Sequence, residues 1–182
     1  TLSFLPGRTI QRVAVPVIGD ALQESNLTFA VQLASPINAL LSQPLGLGTI
    51  LNNDPPPKLF IDDVTLTEGD SGESNAVFRL RLSRASGLPV SAFFTTTNGS
   101  AVAGLDYVST NGWVTLLPGE TNHFFSVAVL GDLLSESNET FSVRAQNLTN
   151  AAAGDLSGQA TVVDNDPVPV LGVQAPSGTV EP

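Results

Sequence analysis

The chain has no cysteine, so disulfide staples and thiol chemistry are excluded. That absence assigns no compartment, because large bacterial surface arrays need no disulfides. Basic residues are scarce, with seven Lys and Arg against seventeen Asp and Glu. This balance argues against a nucleic-acid partner, whose phosphates require basic side chains. Apolar runs never reach the length that spans a bilayer, and no basic stretch followed by an apolar core opens the sequence. The one histidine, His123, stands beside Phe124. A catalytic histidine needs a nucleophile or an orienting acid within reach, so His123 reads as a surface strand residue. No Gly-rich phosphate loop, Walker motif or nucleophile elbow occurs, and an enzyme is the remotest reading. Aromatic side chains make up 6% of the chain, few for an exposed recognition cluster on a sheet face.

What the chain does have is an internal repeat. Leu5-Pro6-Gly7 returns as Leu117-Pro118-Gly119, an offset of 118 − 6 = 112 residues. At that same offset Gly19-Asp20 returns as Gly131-Asp132, Glu24-Ser25-Asn26 as Glu136-Ser137-Asn138, and Asn53-Asp54-Pro55 as Asn165-Asp166-Pro167. Gln11 is the counterpart of His123. A fixed period marks an array of like units. The register predicts the C-terminal half of one unit at 1–56, a complete unit at 57–168, and the first strand of a third at 169–182.

Helix signals are nearly absent. Val, Thr, Phe and Leu alternate with polar residues between Gly, Asn, Asp and Pro clusters, which is the pattern of strands and turns. Phe78, Leu80 and Leu82 alternate with Arg79 and Arg81, and Phe125, Val127 and Val129 are echoed by Val13, Val15 and Val17. The complete unit reads as seven strands, at about 59–67, 76–83, 90–97, 112–117, 122–130, 140–146 and 159–164. The expected fold is all-β, in tandem immunoglobulin-like two-sheet sandwiches of antiparallel strands. Tyr107 and Trp113 flank the fourth strand and read as core anchors. Four Asn-x-Ser/Thr matches, at Asn26, Asn98, Asn138 and Asn147, are what chance supplies in a chain this rich in those residues.

Antiparallel succession sends alternate loops to opposite ends of such a sandwich. One end then gathers the loops after the first, third and fifth strands and the tail after the seventh. Those segments hold Glu68, Asp70, Glu73, Asp106, Asp132, Glu136, Glu139, Asp164 and Asp166, nine of this unit's thirteen carboxylates. Crowded carboxylates repel by roughly 1 kcal/mol per pair at about 4 Å in water, and by more when shielded. Calcium would offset that repulsion, taking about 6–8 oxygen ligands in loose geometry. No His or Cys accompanies the cluster, which disfavours zinc and other transition metals. The competing reading is a set of solvated acidic turns. Asp20, Glu24 and Asp54 repeat the pattern in the half unit, where Leu27 replaces Glu139 and Asn52 replaces Asp164.

The ordered set Thr67-Glu68-Gly69-Asp70, Gly99-Ser100-Ala101 with Asp106-Tyr107, Leu117-Pro118-Gly119-Glu120, Gly131-Asp132 through Phe141, and Asp164-Asn165-Asp166 resembles the Calx-beta family. The resemblance covers the complete unit. It implies an immunoglobulin-like sandwich, which in sodium–calcium exchangers binds regulatory calcium at this end; other members occur in integrins and in long bacterial surface proteins. The ligands it implies are Glu68, Asp106, Asp132, Glu136, Asp164 and Asp166, with Glu139 peripheral. Gly131 and Asn165 stand where the exchanger pattern is richest in acids, so one or two calcium ions per unit are expected.

The proline-rich junctions Asp54-Pro55-Pro56-Pro57 and Asp166-Pro167-Val168-Pro169 read as stiff spacers. Residues 1–57 should carry the fourth to seventh strands of their unit, leaving open sheet edges unless other polypeptide completes them. The expected function is a non-enzymatic, calcium-stiffened rod, stalk or filament of adhesin or matrix type, extracellular or at a cell surface, of bacterial kind. Its partners would be neighbouring repeats or other copies in a polymer, with no nucleic acid and no membrane insertion by this stretch. The rivals are a ligand-recognising adhesion module and a calcium-sensing regulatory domain of a membrane protein.

Overall fold

The computed structural model describes residues 1–174 and 178, which divide into two compact units at Pro55/Pro56. Every regular element among them is a strand. In the first unit β1 (Leu27–Gln32) and β2 (Leu45–Ile50) form an antiparallel ribbon with Phe29 opposite Gly48. The second unit holds β3 (Lys58–Ile61), β4 (Val64–Thr67), β5 (Gly72–Leu82), β6 (Val90–Asn98), β7 (Asn111–Leu116), β8 (Asn122–Gly131), β9 (Glu139–Thr149), β10 (Ala152–Ala153) and β11 (Ser157–Val163).

These nine strands build two sheets, in the orders β10-β3-β5-β8 and β4-β11-β9-β6-β7. Strict alternation gives each sheet one apolar face: in β5, Ala76, Phe78, Leu80 and Leu82 are buried, while Val77 and Arg79 point to solvent. The apolar faces close on one core, in which Phe78 meets Phe141 edge-on and Tyr107 stacks on Phe141 at 4.2 Å. The Tyr107 hydroxyl donates to Asn98 Oδ1 at 2.6 Å, so the buried phenol is satisfied.

Three expectations need correction. The strand expected at 59–67 breaks at Asp62-Asp63 and serves both sheets: β3 pairs antiparallel with β5, and β4 pairs parallel with β11. Both carboxylates at the break are engaged, Asp62 by Arg79 and by Arg81 Nε at 2.9 Å, and Asp63 by the Gln159 N–H at 2.8 Å. Trp113 is no core anchor. The phase of β7 turns Val114 and Leu116 inward and leaves Trp113 outside, 60% exposed and edge-on to Phe93.

The third correction concerns the first unit, where Val13, Val15 and Val17 form no strand. Their counterparts lie in β8, whose hydrogen-bonding partner is β5, and residues 1–55 contain no equivalent of β5. Val15 is 43% and Val17 54% exposed where Val127 and Val129 are sealed. The first strand expected for a third unit lies partly outside the described residues, and positions 169–174 carry no strand.

Candidate metal centre

The acidic residues of the second unit arrive at one end by four separate routes. Glu68 follows β4 directly, and its N–H still donates to Val163 O at 3.3 Å, so the β4–β11 pairing delivers it to the tail of β11. On that tail the Asp166 N–H donates to Asp164 Oδ1 at 3.1 Å, and the Asp164 N–H donates to Asn138 Oδ1 at 3.3 Å. These turns bring carboxylate oxygens of Glu68, Asp164 and Asp166 within 4.8 Å of one another.

A second triad, with the same spacing, joins Asp106, Glu136 and Glu139. Asp106 closes its own turn through Oδ2, which accepts from the Val102 N–H at 2.6 Å, while its carbonyl takes the Leu130 N–H at 2.9 Å. Asp132 shapes the loop before β9 by accepting from the Leu134 N–H at 2.6 Å.

Electrostatics couples the two triads. Burial, followed by the charges of Asp164 and Asp132, a hydrogen bond to Asp164 and the charge of Glu136, raises the Glu68 carboxyl to about 7. Burial and then Asp106, Asp132, Asp164 and Asp166 raise Glu136. Glu139 is raised by burial, by a hydrogen bond to Asp106, and by the charges of Asp106 and Glu136. Asp166 is raised by burial and by Asp164, Asp70 and Asp132. No cation among the described residues appears as a cause of any of these shifts.

A solvated acidic loop would not bury its carboxylates. Glu68 is only 8% and Asp166 only 9% exposed, and Glu68 Oε1 and Asp166 Oδ2 have no hydrogen-bond partner among the described residues. Buried acceptors left without a donor are costly, and a cation supplies what they lack. An all-oxygen donor set without nitrogen or sulfur suits a hard divalent ion such as calcium.

The first unit is different. Asp20, Glu24 and Asp54 form no comparable triad among the described residues. Its ribbon supplies counterparts of the β8–β9 loop and of the final tail, but none for the loops that carry Glu68 and Asp106.

Sequence reasoning gave no bracing role to the amides that shape the pole. Asn138 braces Asp164, Asn165 bonds Gly69 N–H and Asp70, and Asn98 bonds the Tyr107 hydroxyl and the Ala103 N–H. A signal for Asn138 existed, since the repeat preserves it as Asn26, and Asn26 Oδ1 accepts from the Asn52 N–H at 2.9 Å.

A model of the Calx-beta domain matches residues 1–56 and again 57–168. Human sodium/calcium exchanger 3 is 47% identical over 55 residues, 30% of this chain and 6% of the exchanger. Sodium/calcium exchanger 1 of Felis catus is 34% identical over 101 residues, 54% of this chain and 10% of the exchanger. The chain thus spans a tenth or less of these relatives. Among solved structures, the apo-form Calx CBD1 domain aligns with a TM-score of 0.55 at 20% identity, over 61% of this chain and 99% of that one. The calcium binding domain CBD12 of CALX1.1 gives 0.55 at 22% identity, over 60% of this chain and 46% of that one. At these identities the structures show a shared fold.

The exchanger relatives overturn the expectation of a stiff rod, stalk or filament of adhesin or matrix type. The polymer partners and the extracellular bacterial setting attached to that expectation lose their support with it.

Proposed function

Because this chain belongs to the Calx-beta domain family, we propose that it is a calcium-sensing regulatory portion of a membrane protein of the sodium/calcium exchanger type. The observation that carries this reading is the pair of buried, unpartnered carboxylate oxygens on Glu68 and Asp166, facing Asp164 at the rim of a closed sandwich. Glu68, Asp164 and Asp166 would hold one ion and Asp106, Glu136 and Glu139 a second, with the charge of Asp132 acting on both groups. The ion would supply positive charge, and the chain supplies the carboxylate oxygens that would hold it, on loops that converge at one end of the sandwich. Residues 1–56 are the second half of a unit, 57–168 a whole one, and 169–182 the start of the next. Asp20, Glu24 and Asp54 repeat part of this acidic pattern in the first unit.

Regulation follows from connectivity. Asp164 and Asp166 lie on the tail that runs directly into Pro167-Val168-Pro169. An ion that fixes those carboxylates to Glu68 also fixes the direction in which the chain leaves the sandwich, and proline passes that direction on. The role is binding, not catalysis.

The test is the melting temperature of the whole chain in millimolar calcium and in chelator, beside an Asp132→Asn/Asp166→Asn double variant. A ligand that binds only the folded form raises stability by mass action. The expected result is a rise with calcium that the variant loses; no rise in the wild type would refute the reading.

A further inference from the structure

Gly131 and Asn165 both act on the same short loop. Gly131 ends β8, paired with Gly72, and the Glu68-Gly69 backbone passes directly over it. A Cβ at Gly131 would lie 2.1 Å from Gly69 O and 2.9 Å from Gly69 C, closer than real Cβ atoms approach backbone. From the other side, Asn165 Oδ1 accepts from the Gly69 N–H at 3.0 Å and its Nδ2 donates to Asp70 Oδ1 at 2.6 Å. Both ends of the Asn165 amide are thus occupied by the loop.

We propose that Gly131 and Asn165 are positioning residues, which clamp the Glu68–Asp70 loop between β8 and the tail and so hold Glu68 against Asp164 and Asp166. This rests on the calcium reading above and deepens it. An aspartate at position 165 would add charge but lose the donor to Asp70, setting two carboxylates face to face. Asparagine exchanges a potential ligand for a brace. Any side chain at position 131 would lift the loop and carry Glu68 off the triad.

The experiment is calcium titration calorimetry on the whole chain and on Gly131→Ala, Asn165→Ala and Gly154→Ala, with a metal-free melt of each. Residues that orient metal ligands typically contribute about 10–100-fold in affinity. Gly131→Ala and Asn165→Ala should therefore each weaken calcium binding by at least about 10-fold. Asn165 is exposed, so its variant keeps the fold even if Gly131→Ala does not. Gly154 is the control. Its Cβ would lie 2.5 Å from Leu59 O, a clash of the same kind at a site without the acidic residues, so it should lower the melting temperature and leave the affinity unchanged. Wild-type binding together with unaltered affinity in a folded Asn165→Ala would overturn the clamp alone. A wild type that binds no calcium would overturn the calcium reading and the clamp together.

Discussion

The two units share their turns but not their sheets. Leu117-Pro118-Gly119-Glu120 closes with the Glu120 N–H on Leu117 O at 3.0 Å, and Leu5-Pro6-Gly7-Arg8 closes with the Arg8 N–H on Leu5 O at 2.9 Å. Asp132 caps Leu134 at 2.6 Å, and Asp20 caps Leu22 at 2.8 Å. The Asn138 bond to Asp164 recurs as the Asn26 bond to Asn52. Yet β7 and β8 have no counterparts in residues 1–26. A turn is specified by the few residues within it, whereas a strand needs a neighbour. β8 is held by β5 and β7 by β6, and residues 1–55 contain neither partner. Only the pair that brings its own partner survives, β1 with β2, matching β9 with β11.

Hydrogen exchange sharpens this difference most. Amides of 13–17 should exchange nearly freely, while the β8 amides that bond β5 should be protected by on the order of a thousandfold or more, because they open only with the whole second unit. Equal protection would mean that the first unit forms its own sheet in solution. Core truncation is the next largest contrast. Phe141→Ala should destabilise the second unit by about 3–5 kcal/mol in urea unfolding, since it empties a sealed site between Phe78 and Tyr107. Phe29→Ala, at the matching but half-buried position, should leave that transition in place.

Acidity comes third. Glu68 is raised from 4.5 to about 7 in the fold, so between those values the folded state binds more protons than the unfolded one. In chelator, the part of stability that Glu68 controls is therefore fully present below about 4.5 and declines as pH rises toward 7. Glu136, Glu139 and Asp166 are shifted the same way and add to that decline. Calcium should reverse the trend, because the ion needs the deprotonated ligands. A melting temperature in chelator that climbs from pH 5 to pH 7 would contradict the burial assigned to this pole. The smallest effect is expected at the break between β3 and β4. Asp62→Asn weakens two partly exposed arginine contacts and should cost about 1 kcal/mol in urea unfolding, without altering calcium affinity.

Much of the second unit was legible because its signals are local or periodic. Alternation along Phe78–Leu82 located β5 and its inward face, and antiparallel succession alone sent Glu68, Asp106, Asp132 and Asp166 to one end. What escaped was non-local. Nothing near Asp62-Asp63 is a glycine or a proline, so the sheet change there is announced only by partners seventeen to ninety-six residues away, Arg79, Arg81 and Gln159. Trp113 was misplaced because size suggested a core where the phase of β7 forbids it. Val13, Val15 and Val17 have the alternation of a strand, and alternation does not reveal whether a partner is present. The braces Asn138 and Asn165 read as ordinary loop asparagines until the backbone groups that they bond are brought alongside.

The most direct test is residue-resolved: amide chemical shifts of the whole chain, followed as calcium is added to millimolar concentration. Saturable changes should concentrate at Glu68–Asp70, Asp106, Asp132–Glu139 and Asp164–Asp166, with much smaller ones at Asp20–Glu24 and Asn52–Asp54. No saturable change at Glu68, Asp106 or Asp164–Asp166 would contradict the account.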